Sequence, residues 1–219
     1  MKNILLINGP NLNLLGKRDV EIYGNKTLSD VEDILVKFIS EKDLENKFQI
    51  KSYQSNHEGD LIDFIQENSK DSHAIIINPG GLTTVGFSLL DALIDTKLLC
   101  VEVHISNIHE REEFRRNSIF PNYCKYQIAG KGIEGYKLAL EKILSENKME
   151  FQNRINSLRS TLSKTDIDTA FISNKDNIRY YSGFTGTLAF LLISETKSII
   201  ITDSRLSLIH ISEPTRLEP

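Results

Sequence analysis

The chain contains 219 residues, of which 40% are hydrophobic and 26% are charged, a composition typical of a folded globular protein. Its formal net charge of −4 argues against nucleic acid as a partner, because phosphate binding usually needs a clustered excess of basic residues. The apolar start, residues 4–7, is too short for a signal peptide or a membrane span, so we expect a cytoplasmic protein.

Five short apolar segments rich in Ile, Val and Leu predict buried β-strands. They are residues 3–7, 48–53, 74–77, 98–103 and 125–129. The segments between them repeat apolar residues every three to four positions and predict helices, the first over residues 29–42 with Thr27 and Ser29 as candidate N-caps. This alternation predicts an α/β fold, a flavodoxin-like five-stranded parallel sheet in the order 2-1-3-4-5 with helices on both faces.

The loops at one edge of this sheet are polar and rich in glycine. They are residues 8–13 after the first strand, 78–81 after the third and 102–107 after the fourth. Ligands of such sheets bind at the carboxyl ends of the strands, so we expect the functional site here. Residues 56–60 lie beside the second strand and are expected to cap a helix rather than bind metal. Cys100 and Cys124 have no metal-type spacing and are expected to be reduced and packed.

The loop 16–24 is polar, bounded by glycines, and follows the first strand, so it is a candidate lid. It contains Arg18 and Tyr23. An arginine beside a tyrosine stabilises phenolate and makes the phenol a usable general base. The spacing alone favours, slightly, a solvated loop in which Tyr23 packs on the surface.

His104 ends the fourth strand and follows Glu102 by two residues, so both side chains point to the same face of the sheet. A carboxylate beside an imidazole fixes its tautomer and supports proton donation. A buried histidine with a purely structural role is the alternative. Arg115 lies in the charged run 110–116, which is either a binding site for an anion or an ordinary charged helix face.

The strand and helix pattern breaks near residue 148, where a charged run closes the fifth helix. A new polar helix is predicted over residues 154–162, then a strand over 169–173, a turn over 174–177 and two hairpin-like apolar runs. We predict three parts: a catalytic domain over residues 1–147, an incomplete α/β fragment over 148–206, and a non-native tail over 207–219.

Five motifs relate the first part of the chain to a known family. They read INGPNLNLLGKRDVEIYG, SYQSNHEGDLIDFI, IIINPGGLTTVG, DAL and VEVHISNIHEREEFRRNS. In this order they resemble type II 3-dehydroquinate dehydratase. The resemblance implies a hydro-lyase that converts 3-dehydroquinate to 3-dehydroshikimate by anti elimination through an enolate, a step of the shikimate pathway of aromatic amino-acid biosynthesis. It implies no cofactor and no metal.

The resemblance also implies roles for individual residues. Tyr23 matches the base that takes the C2 proton and Arg18 the residue that activates it. His104 matches the general acid, and Glu102 orients it. The other matching positions are Asn11 near the base, Asn78 for the substrate or a bridging water, the amides of Ile105 and Ser106 for the carboxylate, Arg115 for a hydroxyl, and Asp91 for the neighbouring subunit's site.

Further implications concern assembly and one departure from the family pattern. The family forms trimers that assemble into a homododecamer, so we expect a homo-oligomer. The family often has histidine where this chain has Thr84, and threonine keeps a hydrogen bond but not a charge.

The second part resembles the start of the N-terminal domain of creatinase-like and proline-specific aminopeptidases. The resemblance rests on residues 177–186 and 202–205 and covers about residues 150–206. That family's metal-binding domain lies far downstream, so no peptidase activity is expected. Two adjacent genes joined by a lost stop codon or an assembly error explain the arrangement. A genuine bifunctional fusion is the alternative, whereas a flavin-binding module or a phospho-receiver is disfavoured because the strand-end loops carry asparagines.

Overall fold

The computed structural model describes residues 1–17, 25–184, 186 and 188–202, and only the backbone of residue 147. Arg18 and Tyr23 therefore lie outside the described residues, as does the predicted tail. The chain divides into two compact units, Met1–Leu144 and Ser145–Pro219. Within the described residues, no helix is long and apolar enough to cross a membrane.

The first unit is built on a five-stranded parallel sheet. Its strands are β1 (Lys2–Asn8), β2 (Phe48–Gln54), β3 (Ser72–Asn78), β4 (Leu99–His104) and β5 (Tyr126–Ala129). Their order is β2-β1-β3-β4-β5, which confirms the predicted fold. Nearly every residue of β1, β3 and β4 is buried, as expected for strands covered on both faces.

Helices cover both faces of the sheet. They are α1 (Leu28–Glu41), α2 (Glu58–Asn68), α3 (Phe87–Thr96) and the first turns of α4 (Glu134–Leu162). One core cluster packs α1 and α4 against one face, and a second packs α2 and α3 against the other. Cys100 and Cys124 are packed in the second cluster as expected, with their Sγ atoms 3.1 Å apart.

Strand register brings the polar strand ends together. Asn8 at the end of β1 pairs with Asn78 at the end of β3. Ile77 pairs with Glu102, so β4 extends two residues further and ends at His104. The carboxyl ends of these three strands therefore converge on one point.

The predicted helix break near residue 148 is wrong. The fifth helix does not close there, and α4 runs for 29 residues from Glu134 to Leu162. The reason is compositional, because residues 136–162 contain no glycine or proline and consist largely of helix-forming Glu, Lys, Leu, Met and Arg. A change in apolar periodicity marks the change of core but does not end a helix.

The second unit has a three-stranded antiparallel sheet. Its strands are β6 (Thr169–Ile172), β7 (Ala189–Ser194) and β8 (Ser198–Thr202). The antiparallel pairing of β7 with β8 confirms the predicted hairpin. The predicted turn over 174–177 is wrong, because α5 (Lys175–Ser182) begins there. The Asn174 side chain accepts hydrogen bonds from the N–H groups of Asp176 and Asn177 and so caps this helix.

Candidate active site

A solvent-open cavity of about 830 Å³ lies at the carboxyl edge of the sheet of the first unit. It is lined by Pro10, Asn11, Leu12, Leu14, Leu15, Asn78, Gly80, Gly81, Thr83, Thr84, His104, Ile105, Ser106, Arg111 and Arg115. These residues come from the loops after β1, β3 and β4, the edge predicted to carry the site. A concave site lined by both polar and apolar residues is typical of a binding site for a small molecule.

The floor of the cavity depends on close contact between the loops after β1 and β3. A Cβ atom at Gly9 would lie 2.3 Å from the Pro79 carbonyl oxygen. A Cβ atom at Gly80 would lie 2.8 Å from the Pro10 carbonyl oxygen, and Gly80 has a φ of +57°. Only glycine fits at these two positions, so the two loops form one rigid support.

Asn11 adopts a left-handed backbone conformation with a φ of 68°. Its N–H donates to Asn56 Oδ1 at 2.8 Å, and Gln54 Nε2 donates to the same oxygen at 3.2 Å. Asn56 thus holds the Asn11 loop in place. Helix capping was the role expected for this region, and sequence spacing offers no signal that the loop after β2 supports the loop after β1.

Glu102 and His104 form a buried pair beneath the cavity. His104 Nε2 lies 2.7 Å from Glu102 Oε1, and the two residues are 3% and 0% exposed. The Glu102 carboxylate also accepts hydrogen bonds from Ser118 Oγ and, at 2.7 Å, from Gln127 Nε2. Three donors therefore compensate a charge that burial would otherwise make costly. Because Nε2 is engaged with Glu102, Nδ1 is the ring nitrogen left for a ligand.

Asn78 is fixed by a chain of hydrogen bonds beneath the cavity floor. Its Nδ2 donates to the Tyr136 hydroxyl at 2.9 Å, and that hydroxyl donates to Asn8 Oδ1 at 2.8 Å. Gly80 N donates to Asn78 Oδ1 at 3.2 Å. Burial raises the pKa of the Tyr136 phenol, so the hydroxyl keeps its proton. No motif in the sequence indicates that Tyr136 supports Asn78.

The peptide groups after His104 are oriented by the loop after β5. Gly130 N donates to the His104 carbonyl at 3.2 Å, and Gly132 N donates to the Ile105 carbonyl at 3.0 Å. The described residues contain no cis peptide bond, so the N–H groups of Ile105 and Ser106 point away from that loop. Both residues line the cavity.

Two arginines line the cavity from the charged run 110–116. Arg115 was predicted, whereas Arg111 was not; Arg111 Nη2 donates to Ser106 Oγ. The run does not form the charged helix that was the alternative. One short 3₁₀ turn, Ile108–Glu110, ends where the run begins, and a second, Glu113–Arg115, lies within it. No periodic pattern in the sequence distinguishes Arg111 from its charged neighbours.

The structure brings most of the predicted site residues together. Asn11, Asn78, His104, Ile105, Ser106 and Arg115 line the cavity, and Glu102 lies directly behind His104. Thr84, the departure from the family pattern, lines it too. Asp91 does not, because it lies on the exposed side of α3. In the part of the chain that the structure describes, no group of three or more His, Cys, Asp or Glu residues is placed to hold a metal ion.

A buried histidine–carboxylate pair facing a polar cavity, at the carboxyl edge of a flavodoxin-like sheet, is typical of enzymes that transfer protons on small polar substrates. Within that class, residues 2–144 match the family model of class II dehydroquinases. The chain belongs to this family.

Individual relatives agree with this assignment. The 3-dehydroquinate dehydratase of Bacillus pumilus is 47% identical over 146 residues, covering 67% of this chain and 97% of that protein. The enzyme of the same name from Prochlorococcus marinus is 52% identical over 144 residues, covering 66% and 95%. A crystal structure of type II dehydroquinase from Butyrivibrio crossotus matches with a TM-score of 0.60 and 41% identity, covering 65% of this chain and 97% of that chain.

A second family model matches further along the chain. Residues 154–213 match the Creatinase/Prolidase N-terminal domain, so the chain combines segments similar to two different families. This match extends past residue 206 into the predicted tail, whose origin stays a prediction.

Proposed function

We propose that this protein is a hydro-lyase that converts 3-dehydroquinate to 3-dehydroshikimate and water in the shikimate pathway. The observation that carries the proposal is the buried His104–Glu102 pair facing a polar cavity. It lies in a domain that is 47% identical over 146 residues and 52% identical over 144 residues to two 3-dehydroquinate dehydratases. The proposed location is the cytoplasm.

His104 is the proposed general acid. Its Nε2 is engaged with Glu102, so Nδ1 faces the departing hydroxyl and delivers the proton. Glu102 stabilises the imidazolium and fixes the ring, and Ser118 and Gln127 fix Glu102.

Tyr23 is the proposed base and Arg18 the residue that activates it. Both lie outside the described residues, and the proposal rests on the motif LLGKRDVEIYG. The described flanks of this segment support it. A Cβ atom at Gly16 would lie 3.1 Å from the Asn25 carbonyl oxygen, so the chain enters and leaves the segment at neighbouring points. The preceding residues Leu14 and Leu15 line the cavity.

The remaining cavity residues are proposed to hold the substrate and the enolate formed when the C2 proton leaves. The N–H groups of Ile105 and Ser106 bind the carboxylate, with Arg115 near a hydroxyl. Asn78 donates to the enolate oxygen or to a water bridging to it, and Asn11 lies near the base. Fixed dipoles stabilise such a charge well, so the proposed reaction uses no cofactor.

We also propose that the enzyme is a homo-oligomer in which Asp91 reaches a neighbouring copy's site. On α3, Phe87, Asp91 and Ile94 share one face, and the two apolar residues are 62% and 43% exposed. Such an apolar face suits burial against a second copy. Analytical ultracentrifugation of Phe87→Glu tests this. We expect the variant to form a smaller assembly than the parent protein, and an assembly of unchanged size overturns the proposal that this face binds a second copy.

The activity is tested by incubating the purified full-length protein with 3-dehydroquinate and following the absorbance of the enone product. We expect turnover by the parent protein, near-complete loss in Tyr23→Phe, and no effect of borohydride, because the proposed reaction forms no Schiff base. Absence of turnover, or inactivation by borohydride that requires substrate, overturns the proposal.

For the second segment we propose that two adjacent genes were joined. Support comes from two unrelated family matches, over residues 2–144 and 154–213, with Met149 between them. Resequencing the locus is expected to reveal a stop codon before Met149. An uninterrupted frame that continues into a complete second protein overturns this proposal.

A further inference from the structure

Asn78 lines the cavity, but the hydrogen-bond chain from its amide nitrogen continues into the core. Tyr136 is fully buried on α4 and Asn8 is fully buried at the end of β1. Neither residue lines the cavity. Their hydrogen bonds nevertheless connect directly to Asn78.

These hydrogen bonds run in one direction. Gly80 N–H donates to Asn78 Oδ1, Asn78 Nδ2 donates to the Tyr136 oxygen, and the Tyr136 hydroxyl donates to Asn8 Oδ1. The Gly80 N–H cannot accept, so Asn78 has to direct Oδ1 toward Gly80 and Nδ2 toward Tyr136. Hydrogen bonds in such a chain polarise one another and strengthen it.

The orientation of Asn8 follows from the same chain. Because the Tyr136 oxygen already accepts from Asn78, its proton needs an acceptor, which Asn8 Oδ1 supplies. Asn8 Nδ2 is then left buried without a hydrogen-bond partner among the residues that the structure describes. The hydrogen bond from Tyr136 to Oδ1 therefore sets the orientation of the Asn8 amide.

We infer that Tyr136 and Asn8 are positioning residues that make Asn78 a hydrogen-bond donor to the charge developing on the substrate. This inference rests on the proposed function and deepens it. An amide nitrogen has two protons, and one of those on Asn78 is used by Tyr136. Because Asn78 lines the cavity, the inference assigns the other proton to the substrate. If the amide were reversed, its oxygen would face the enolate and repel it.

The decisive variant is Tyr136→Phe, which keeps the ring and removes the hydroxyl. Asn78 then loses the partner that holds Nδ2, and we expect kcat to fall about tenfold or more while KM changes less than about threefold, because the donor acts on charge absent from the ground state. Tyr123→Phe is the matched control. Its hydroxyl donates to the Leu98 carbonyl at 2.7 Å, away from the cavity, so its removal is expected to leave kcat unchanged.

A double-mutant cycle with Asn78→Ala separates positioning from general loss of stability. If Tyr136 acts through Asn78, Tyr136→Phe causes no further fall in kcat when Asn78 is already alanine. The inference is overturned if Tyr136→Phe is as active as Tyr123→Phe, or if it lowers kcat by the same factor in both backgrounds. Should Tyr136→Phe fail to fold, Asn8→Ala takes its place in the same cycle with the same expected result.

A crystal structure of unliganded Tyr136→Phe gives a readout that does not depend on activity. We expect Asn78 Nδ2 to leave its wild-type position, because its bond to the Tyr136 hydroxyl is lost while Gly80 N still donates to Oδ1, whereas an unmoved Asn78 amide overturns the inference. Absence of turnover by the parent protein would overturn the proposed function and leave this result to decide the role of Tyr136.

Discussion

Single residues at this site act through the partners that hold them. Glu102 is fully buried, and its carboxylate accepts from His104, Ser118 and Gln127. Hydrogen bonds to an ionised carboxylate are stronger than those between neutral groups, so these three partners hold the Glu102 side chain firmly beside the imidazole. The bond to Glu102 in turn holds the His104 ring in one orientation.

Glu102→Gln preserves the size of this side chain and removes its charge. We expect kcat to fall about 100-fold, because a positioned acid contributes roughly that much to proton transfer. Steady-state kinetics with 3-dehydroquinate measures the effect. Glu113→Gln, which changes an exposed carboxylate 3.9 Å from Arg116, is the matched control and should leave kcat unchanged. Equal activity of the two variants would contradict the role of Glu102.

The sequence predicts the Glu102–His104 pair but not the two residues that hold Glu102 in place. Glu102 and His104 stand two residues apart at a strand end, so a period of two places them on one face. Ser118 and Gln127 lie 16 and 25 residues from Glu102 in the sequence. Their hydrogen bonds to Glu102 depend on how the loop after β4 and the strand β5 pack. Tyr136 is a longer-range case, since it lies 128 residues from Asn8.

Gly9 matters because it has no side chain, which lets the loop after β1 lie against Pro79. In Gly9→Ala the new Cβ would meet the Pro79 carbonyl, which belongs to the backbone and cannot turn aside. We expect the free energy of unfolding to fall by about 1–3 kcal/mol, as for an overpacked core, together with reduced turnover. Urea denaturation measures the first effect. Gly59→Ala, whose Cβ meets nothing within 4 Å, should be neutral or slightly stabilising, and equal losses in both variants would refute the steric argument.

At the level of elements, α1 shows how local sequence sets a boundary. Thr27 Oγ1 accepts from Asp30 N, while the Thr27 N–H and hydroxyl both donate to the Asp30 carboxylate, at 2.7 and 2.8 Å. The sequence predicts an N-cap here but does not distinguish Thr27 from Ser29. The geometry selects Thr27, since Ser29 lies inside the helix.

Thr27→Ala removes the capping oxygen. We expect the free energy of unfolding to fall by about 1 kcal/mol at neutral pH, the usual effect of losing an N-cap threonine. Ser29→Ala is the matched control, and as a surface substitution it should change stability by less than about 0.5 kcal/mol. Urea denaturation measures the free energy of unfolding of both variants. A larger loss in Ser29→Ala than in Thr27→Ala would disprove the assignment of Thr27 as the N-cap.

The same substitution has an expected pH dependence. The backbone N–H of Thr27, followed by its hydroxyl, holds the pKa of Asp30 below its ordinary value of 3.8. A carboxyl with a lowered folded pKa stabilises the fold above its unfolded pKa, and this contribution is lost as the pH falls through the folded pKa. The difference in stability between wild type and Thr27→Ala should therefore narrow below pH 3.8. A difference independent of pH would contradict the bond from the hydroxyl to Asp30.

Helix α4 shows what local sequence does not reveal. Its early residues Tyr136, Leu140 and Ile143 belong to the core of the first unit, whereas Ile155 belongs to that of the second. Helix propensity is continuous across the change, so the backbone continues while the packing partner changes. One helix can therefore contribute residues to two different hydrophobic cores without a break in its backbone.

On the scale of the whole molecule, the two units have separate cores. Among the described residues, the second core consists of Ile155, Ile178, Ala189, Leu191, Ile193 and Ile200, none of which belongs to the clusters on either face of the parallel sheet. The described residues that line the cavity likewise belong to the first unit. Catalysis should therefore not depend on the packing of the second unit.

Leu191→Ala tests this independence. Leu191 is fully buried at the centre of the second core, so its truncation should destabilise that unit by about 2–5 kcal/mol. We expect faster limited proteolysis within residues 154–202 and an unchanged kcat with 3-dehydroquinate. Phe190→Ala, its 36% exposed neighbour on β7, controls for the loss of a large apolar side chain and should be cleaved more slowly than Leu191→Ala. A fall in kcat that accompanies the faster cleavage would show that the second core supports the catalytic unit and would overturn the independence of the two cores.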